Sequence, residues 1–370
     1  MTNRENILRA LHRRQPELIG FDFVLSPAQL EEFRRRFGSE DYQEHFKFPI
    51  RTIELDPTRL ITDYSRFYES LPPGTRPLDW NPEWGIMGAP GPTAHFQEML
   101  HPMGRFESTA EMEAYPWPDF LEEYRWKDVP ARIARLKERD LVVAAFMEMT
   151  LFEIAWYLRG MDLFMEELLC GEATAIFLLE RLTEIRVGMA TRYAKSGADI
   201  LMLGDDVATQ IDMMISPALW RQEIKPRLTR VIGAAKAANP DILIFYHGDG
   251  NMVRIIPELI EIGVEILNPV QPECMDPFEM KRLYGDKLAF WGCIGTQTTL
   301  PFGSPDDVSR TCRELMEKVG AGGGLLLAPT HTVEPDVPWE NLMAFVESVR
   351  GSSTNSSQGS HRGQARMTPT

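Results

Sequence analysis

Two stretches decide the fold: DILMLGDD (199–206) and ILIFYHGDG (242–250). Each is a short apolar run without polar alternation that breaks abruptly into acids, histidine or glycine. A strand wetted on one face alternates, whereas a continuous apolar run suits a strand covered on both faces, as in a parallel sheet. Four more runs repeat the pattern: LVVAAFM (141–147), VEILNP (264–269), KLAFWGCI (287–294) and GLLLAPT (324–330). Amphipathic helical stretches lie between them, at 151–169, 173–195, 216–237, 252–262, 276–284, 305–319 and 338–349. Ser216-Pro217 and Ser304-Pro305-Asp306-Asp307 are helix-start signals, with proline near the first helical position. Strand-helix alternation at this pace means βαβ units. Six strands are visible, and the irregular first third has room for two more. The expectation is therefore an α/β protein, a single (β/α)8 TIM barrel over 1–350. It is preferred to two separate domains; a doubly wound open sheet is the alternative, but without a GxGxxG after the first strand a dinucleotide site has no support.

The two ends read differently. Two helical stretches, 3–13 and 27–38, open the chain, and Thr2-Asn3-Arg4-Glu5 has the form of a capping box. The segment SLPPGTRPLDWNPEWGIMGAPGP (70–92) reads as a long ordered loop, because its prolines prevent a helix while Trp80, Trp84 and Met87 favour burial. Such aromatics either pack or line a pocket. At the other end, 351–370 lacks large aliphatic or aromatic residues apart from Met367, so a disordered tail is expected there.

Composition excludes several classes. The 370 residues carry a net charge of −15, which argues against a nucleic-acid or anionic-membrane binder. No run of about 18 apolar residues offers a membrane span. Cys170, Cys274, Cys293 and Cys312 lie far apart without a CxxC pair, which fits a reducing, cytoplasmic setting. Cys293, inside a buried run, reads as a core residue.

In a barrel, chemistry belongs at the C-terminal strand ends. Those ends carry Glu148, Asp205 and Asp206, His247 and Asp249, Asn268 and Gln271, Thr296 and Gln297, and His331. In YHGDG (246–250) the glycines flanking Asp249 would let a metal or ligand approach the backbone. With His331, His247 and Asp249 make two imidazoles and one carboxylate, a set that suits zinc or ferrous iron with open positions. The plainer alternative makes His247 a hydrogen-bonded histidine and Asp249 a helix cap. Of the adjacent pair Asp205 and Asp206, one can face a pocket while the other binds backbone amides. Glu148 follows seven apolar residues and reads as a proton donor with a raised pKa, a further metal ligand or a cap for the helix from 151.

The stretches 197–232, 245–308 and 322–345, with the opening NRENILRALHRRQPELI (3–19), resemble the uroporphyrinogen decarboxylase superfamily. The resemblance implies a single barrel with its site at the C-terminal mouth, and one of two chemistries. Decarboxylases of the superfamily use no cofactor and hold an acidic tetrapyrrole with arginines on an N-terminal loop. The corresponding region here reads FDFVLSPAQLEEFRRRFG, without that loop. Corrinoid-linked methyltransferases hold zinc with a His-x-Cys pair and a later Cys. By that resemblance His247 stands at the histidine, Asp249 at the first cysteine and His331 at the second, a harder N/O set. His331 also matches a histidine of the decarboxylases.

The preferred expectation is a corrinoid-linked methyltransferase. His247, Asp249 and His331 would hold zinc or another divalent metal. Glu148, Asp206 and His331 would act in catalysis, and Asp205, Asn268, Gln271 and Gln297 would bind a small methylated substrate. The partner would be a separate cobalamin-binding protein carrying the corrinoid. A tetrapyrrole-type decarboxylase without a cofactor, and a non-catalytic ligand-binding barrel, are the alternatives.

Overall fold

The computed structural model describes residues 1–78, 82–93 and 96–355. Among them are strands β1 (Gly20–Phe21), β2 (Ile50–Ile53), β3 (Arg76–Pro77), β4 (Met87–Thr93), β5 (Phe96–Leu100), β6 (Val142–Phe146), β7 (Ile200–Gly204), β8 (Leu243–His247), β9 (Ile266–Asn268), β10 (Ala289–Ile294) and β11 (Leu325–Pro329). The last six match the six apolar runs, and β1 and β2 are the two strands for which the first third left room. The class is α/β. The chain divides into two compact units, Met1–Ile50 together with the chain from Ile266, and Arg51–Glu265.

In the first unit the strand order is β1-β11-β10-β9, all pairs parallel. The two-residue β1 is prolonged by a parallel bridge between Leu25 and Val333. The helix Asn3–Leu11 carries the expected capping box, Thr2 and Glu5 each accepting from the other's backbone N–H. Phe21, Phe23, Phe46 and Phe48 pack edge to face beneath β1, with Phe23 and Phe48 centroids 4.7 Å apart. Helix Trp339–Asn355 runs five residues into the expected tail, since each further helical residue adds a backbone hydrogen bond. The rest of the tail, 356–370, lies outside the described residues.

In the second unit the order is β8-β7-β6-β2, with β6, β7 and β8 parallel. Gly204 pairs with His247, so the polar segments following β7 and β8 leave the sheet at one level. The expected loop at 70–92 holds two strands, β3 and most of β4, of an antiparallel sheet β3-β4-β5. Its prolines are accommodated at a two-residue edge strand and at a register shift between Pro90 and Thr93, where no ladder hydrogen bond is needed from them. Trp84 and Met87 are buried as expected, and Trp80 lies outside the described residues. Two expected helices are interrupted. The first breaks at Gly160, whose φ of +94° ends Phe152–Arg159 before Met161–Cys170 begins. The second passes through a π turn at Trp220–Ile224, next to Pro226, which has no N–H to offer the i−4 carbonyl. No helix among the described residues is long and apolar enough to cross a membrane.

Candidate active site

The second unit brings three of the sequence-selected residues together. Asp206, His247 and Asp249 each place one ligand atom within 4.8 Å of the others, and all three side chains are partly exposed. The backbone N–H of Asp249 donates to Asp206 Oδ1 at 2.7 Å, and His247 Nε2 lies 3.5 Å from the same oxygen. The cluster joins the ends of neighbouring strands β7 and β8, so sheet pairing fixes its spacing. One imidazole and two carboxylates are a hard N/O donor set that suits a divalent cation with open positions. At the following turn Val253 N–H donates to Asn251 Oδ1.

The flanking glycines serve close packing. A Cβ on Gly250, where φ is +86°, would lie 2.4 Å from the Thr209 carbonyl oxygen. One on Gly248 would lie 2.7 Å from the Met252 methyl and 3.1 Å from the Asp205 carbonyl oxygen. The turn after β8 is thereby pressed onto the segment after β7. Both glycines thus have a packing role.

Asp205 and Asp206 divide the work as adjacent residues on extended chain can. Asp205 is fully buried and accepts from Leu151 N–H and Glu153 N–H, both at 3.0 Å, at the N-terminus of helix Phe152–Arg159. Burial pushes its carboxyl up to about 6, while those backbone hydrogen bonds and the nearby Arg186 hold it down. Asp205, expected to touch substrate, thus anchors the helix, and Glu148 is not that helix's cap.

Two carboxylic acids stand beside the cluster. Burial raises the pKa of Glu148, with His247 opposing and Asp206 and Asp249 adding to the rise. Glu153, which sequence reading passed over as one more helical residue, is pushed up to about 8 by burial and by Asp206 and Asp205. It accepts from the Tyr157 hydroxyl at 2.9 Å and from Asp206 N–H at 3.0 Å. Its signal was present in the sequence: Glu153 and Tyr157 stand four residues apart in a helix that is otherwise apolar up to Arg159.

Glu148 and Tyr157 also line a cavity of about 600 Å³ walled by Trp84, Phe146, Met189 and Tyr193. Two arginines missed by sequence reading border it. Arg125 is buried and forms a bidentate pair with Glu83 at 2.7 and 2.8 Å. Arg186, on helix Ala173–Lys195, donates to the carbonyls of Met149 at 2.8 Å and Thr150 at 3.1 Å. Burial pulls its pKa down to about 10.

The remaining selected residues lie in the first unit. Asn268 Nδ2 donates to the Trp291 carbonyl at 2.7 Å, Gln271 is buried, Gln297 is exposed with its backbone N–H on Glu273, and His331 is exposed just past β11. Cys293 is buried in β10, as expected, and burial pushes its thiol up to about 12. Asp22, not foreseen, follows β1 and accepts from Trp291 Nε1 at 2.9 Å, and burial pushes its carboxyl up to about 7.

Residues 101–352 match the family model for uroporphyrinogen decarboxylase. The chain belongs to the uroporphyrinogen decarboxylase family. It is 29% identical over 164 residues to the methylcobamide:CoM methyltransferase MtaA of Methanosarcina barkeri, covering 44% of this chain and 45% of that protein. It is 24% identical over 176 residues to a uroporphyrinogen decarboxylase of Coxiella burnetii, covering 47% and 46%. The chain thus spans less than half the length of the curated relatives it matches. Among solved structures, a methyltransferase from Methanosarcina mazei superposes with a TM-score of 0.66 at 19% identity, covering 95% of this chain and 99% of that one. The fold is accordingly of the α/β TIM-barrel type, as the strand pattern predicted.

Proposed function

We propose that this family member is a metal-dependent methyltransferase that moves a methyl group between a small methylated compound and a corrinoid carried by a separate protein. The observation that carries this reading is the convergence of Asp206, His247 and Asp249 at the ends of two paired strands. A decarboxylase without a cofactor has no need of such a donor set, and two of the relatives above are named methyltransferases.

Asp206, His247 and Asp249 would hold the divalent metal, zinc being the expected one. When bound, it supplies Lewis-acid polarisation of the heteroatom that bears the methyl group. Glu148, whose carboxyl is raised above the ordinary carboxylate range chiefly by burial, would provide the proton for that heteroatom when the methyl group leaves. Glu153 holds the Asp206 backbone in place, and Tyr157 orients Glu153. Asp205 fixes the helix that carries both. Asn268, Gln271 and Gln297 are proposed as substrate contacts, and His331 as a further ligand or catalytic group.

The reading is tested by following methyl transfer to reduced cobalamin by absorbance, with methoxylated and N-methylated donors offered in turn. Turnover that falls roughly 100-fold or more in His247→Ala and Asp249→Ala supports it. Release of carbon dioxide from uroporphyrinogen, unaffected by those changes, would establish the decarboxylase alternative instead.

A further inference from the structure

We infer that the 600 Å³ cavity beside Glu148 receives a flat apolar substrate body bearing one carboxylate, which pairs with Arg186. This inference deepens the methyl-transfer reading and rests on it for the identity of the reaction. Its volume lies within the range of small-molecule pockets, roughly 300–1,000 Å³. The walls are aromatic and thioether surfaces of Trp84, Phe146, Met189 and Tyr193, which favour a flat ring over a polar chain.

Five acidic or basic residues line the cavity, Glu54, Glu83, Arg125, Glu148 and Arg186, and Glu54 is exposed to solvent, so the buried arginines decide the sign of a ligand held inside. Arg125 is neutralised by its bidentate pair with Glu83. Arg186 is 5% exposed, and its Nε and Nη2 meet only backbone carbonyls. Its Nη1 meets the Met189 sulfur at 3.6 Å, a weak acceptor that leaves strong donors in hand. Among the described residues, no carboxylate lies within ion-pair distance of Arg186. A buried guanidinium facing a cavity without a counter-ion is a site for an anion, and its planar donor fork matches a carboxylate. Asp205 interacts with it at longer range, but both Asp205 oxygens are engaged by the helix N-terminus.

Position within the cavity then follows. Glu148 lines the same cavity and interacts electrostatically with His247, Asp206 and Asp249. A ring held by its acid at Arg186 shares the cavity with Glu148, which would face a methoxy group on that ring and links the cavity electrostatically to the cluster.

Calorimetric titration of the full chain with 4-methoxybenzoate, methoxybenzene and phenyltrimethylammonium tests the inference, in wild type, Arg186→Gln and Arg186→Lys. The acid should bind at least about tenfold tighter than methoxybenzene, the size expected of one charge-assisted hydrogen-bonded pair. Arg186→Gln should erase that preference while leaving methoxybenzene binding intact. Arg186→Lys should keep part of it and covers the case in which Arg186→Gln does not fold. Equal binding of acid and ether, preference for the cation, or an acid preference that survives Arg186→Gln would overturn the inference. Binding needs neither turnover nor metal. An acid preference in a protein that binds no metal would therefore count against methyl transfer and leave the cavity assignment standing.

Discussion

Replacing Asp205 separates the need for a hydrogen-bond acceptor from the need for a charge. The carboxylate is inaccessible to solvent and takes Leu151 N–H through both oxygens, at 3.0 and 3.1 Å, and Glu153 N–H at 3.0 Å. Asp205→Ala leaves those buried donors of helix Phe152–Arg159 unsatisfied. Each unsatisfied group costs about 1–3 kcal/mol, so a total of about 2–6 kcal/mol is expected for the two. Asp205→Asn keeps one carbonyl oxygen near both donors and removes the cost of burying a charge, the cost that pushes the native carboxyl up to about 6. It should therefore lose less than about 1.5 kcal/mol. Urea unfolding followed by circular dichroism gives both values, and an unchanged slope would show that the midpoint shifts report stability. Equal, large losses in the two variants would refute the reasoning, because they would show that charge rather than acceptor geometry holds the helix. Activity should track the same order, since the helix carries Glu153 and Tyr157.

Other perturbations test separate parts. Arg125→Met strands Glu83 in a nearly buried site and should cost about 3–5 kcal/mol in the same unfolding assay, whereas the exposed pair Arg310–Asp307 should tolerate Arg310→Ala within about 1 kcal/mol. Trp84→Ala empties one wall of the cavity and should destabilise by about 3–5 kcal/mol, with a matching drop in thermal midpoint. Asp22 gives a pH signature. Its carboxyl moves from 3.8 when free to about 7 when buried, so the folded chain holds the proton more tightly. Stability should therefore fall as pH rises from about 4 to 7 and level off above, with about 4 kcal/mol as a ceiling that partial solvent contact lowers. Asp22→Asn should flatten that slope and raise stability at pH 8; an unchanged pH profile would exclude Asp22 as its source.

What the sequence disclosed follows from where its pattern is periodic. The strands β6 to β11 were legible because each is a run of apolar residues ended by a polar one, and the same ends supplied Glu148, Asp206, His247 and Asp249. The strand β1 was not, because two residues held by a neighbouring strand leave no periodic trace. The β4–β5 hairpin was hidden by Pro90 and Pro92, which read as loop residues until a register shift accommodates them. Glu153 and Arg186 were hidden for another reason. Charged residues on amphipathic helices are usually solvated, and only packing of Phe152–Arg159 and Ala173–Lys195 around one cavity turns these two inward. The division between Asp205 and Asp206 was foreseeable in kind, since neighbours on extended chain point apart, but the helix that claims Asp205 is more than fifty residues away in sequence.

The most direct test of the central claim is metal content by mass spectrometry on untagged protein, in wild type and in Asp206→Ala, His247→Ala, Asp249→Ala and His331→Ala. The account predicts about one divalent ion per chain in wild type, lost in the first three variants while circular dichroism stays native; the fourth shows whether His331 adds to the set. A folded wild-type protein that takes up no zinc or other divalent ion when offered it, or that keeps its ion in His247→Ala and Asp249→Ala, would contradict the account.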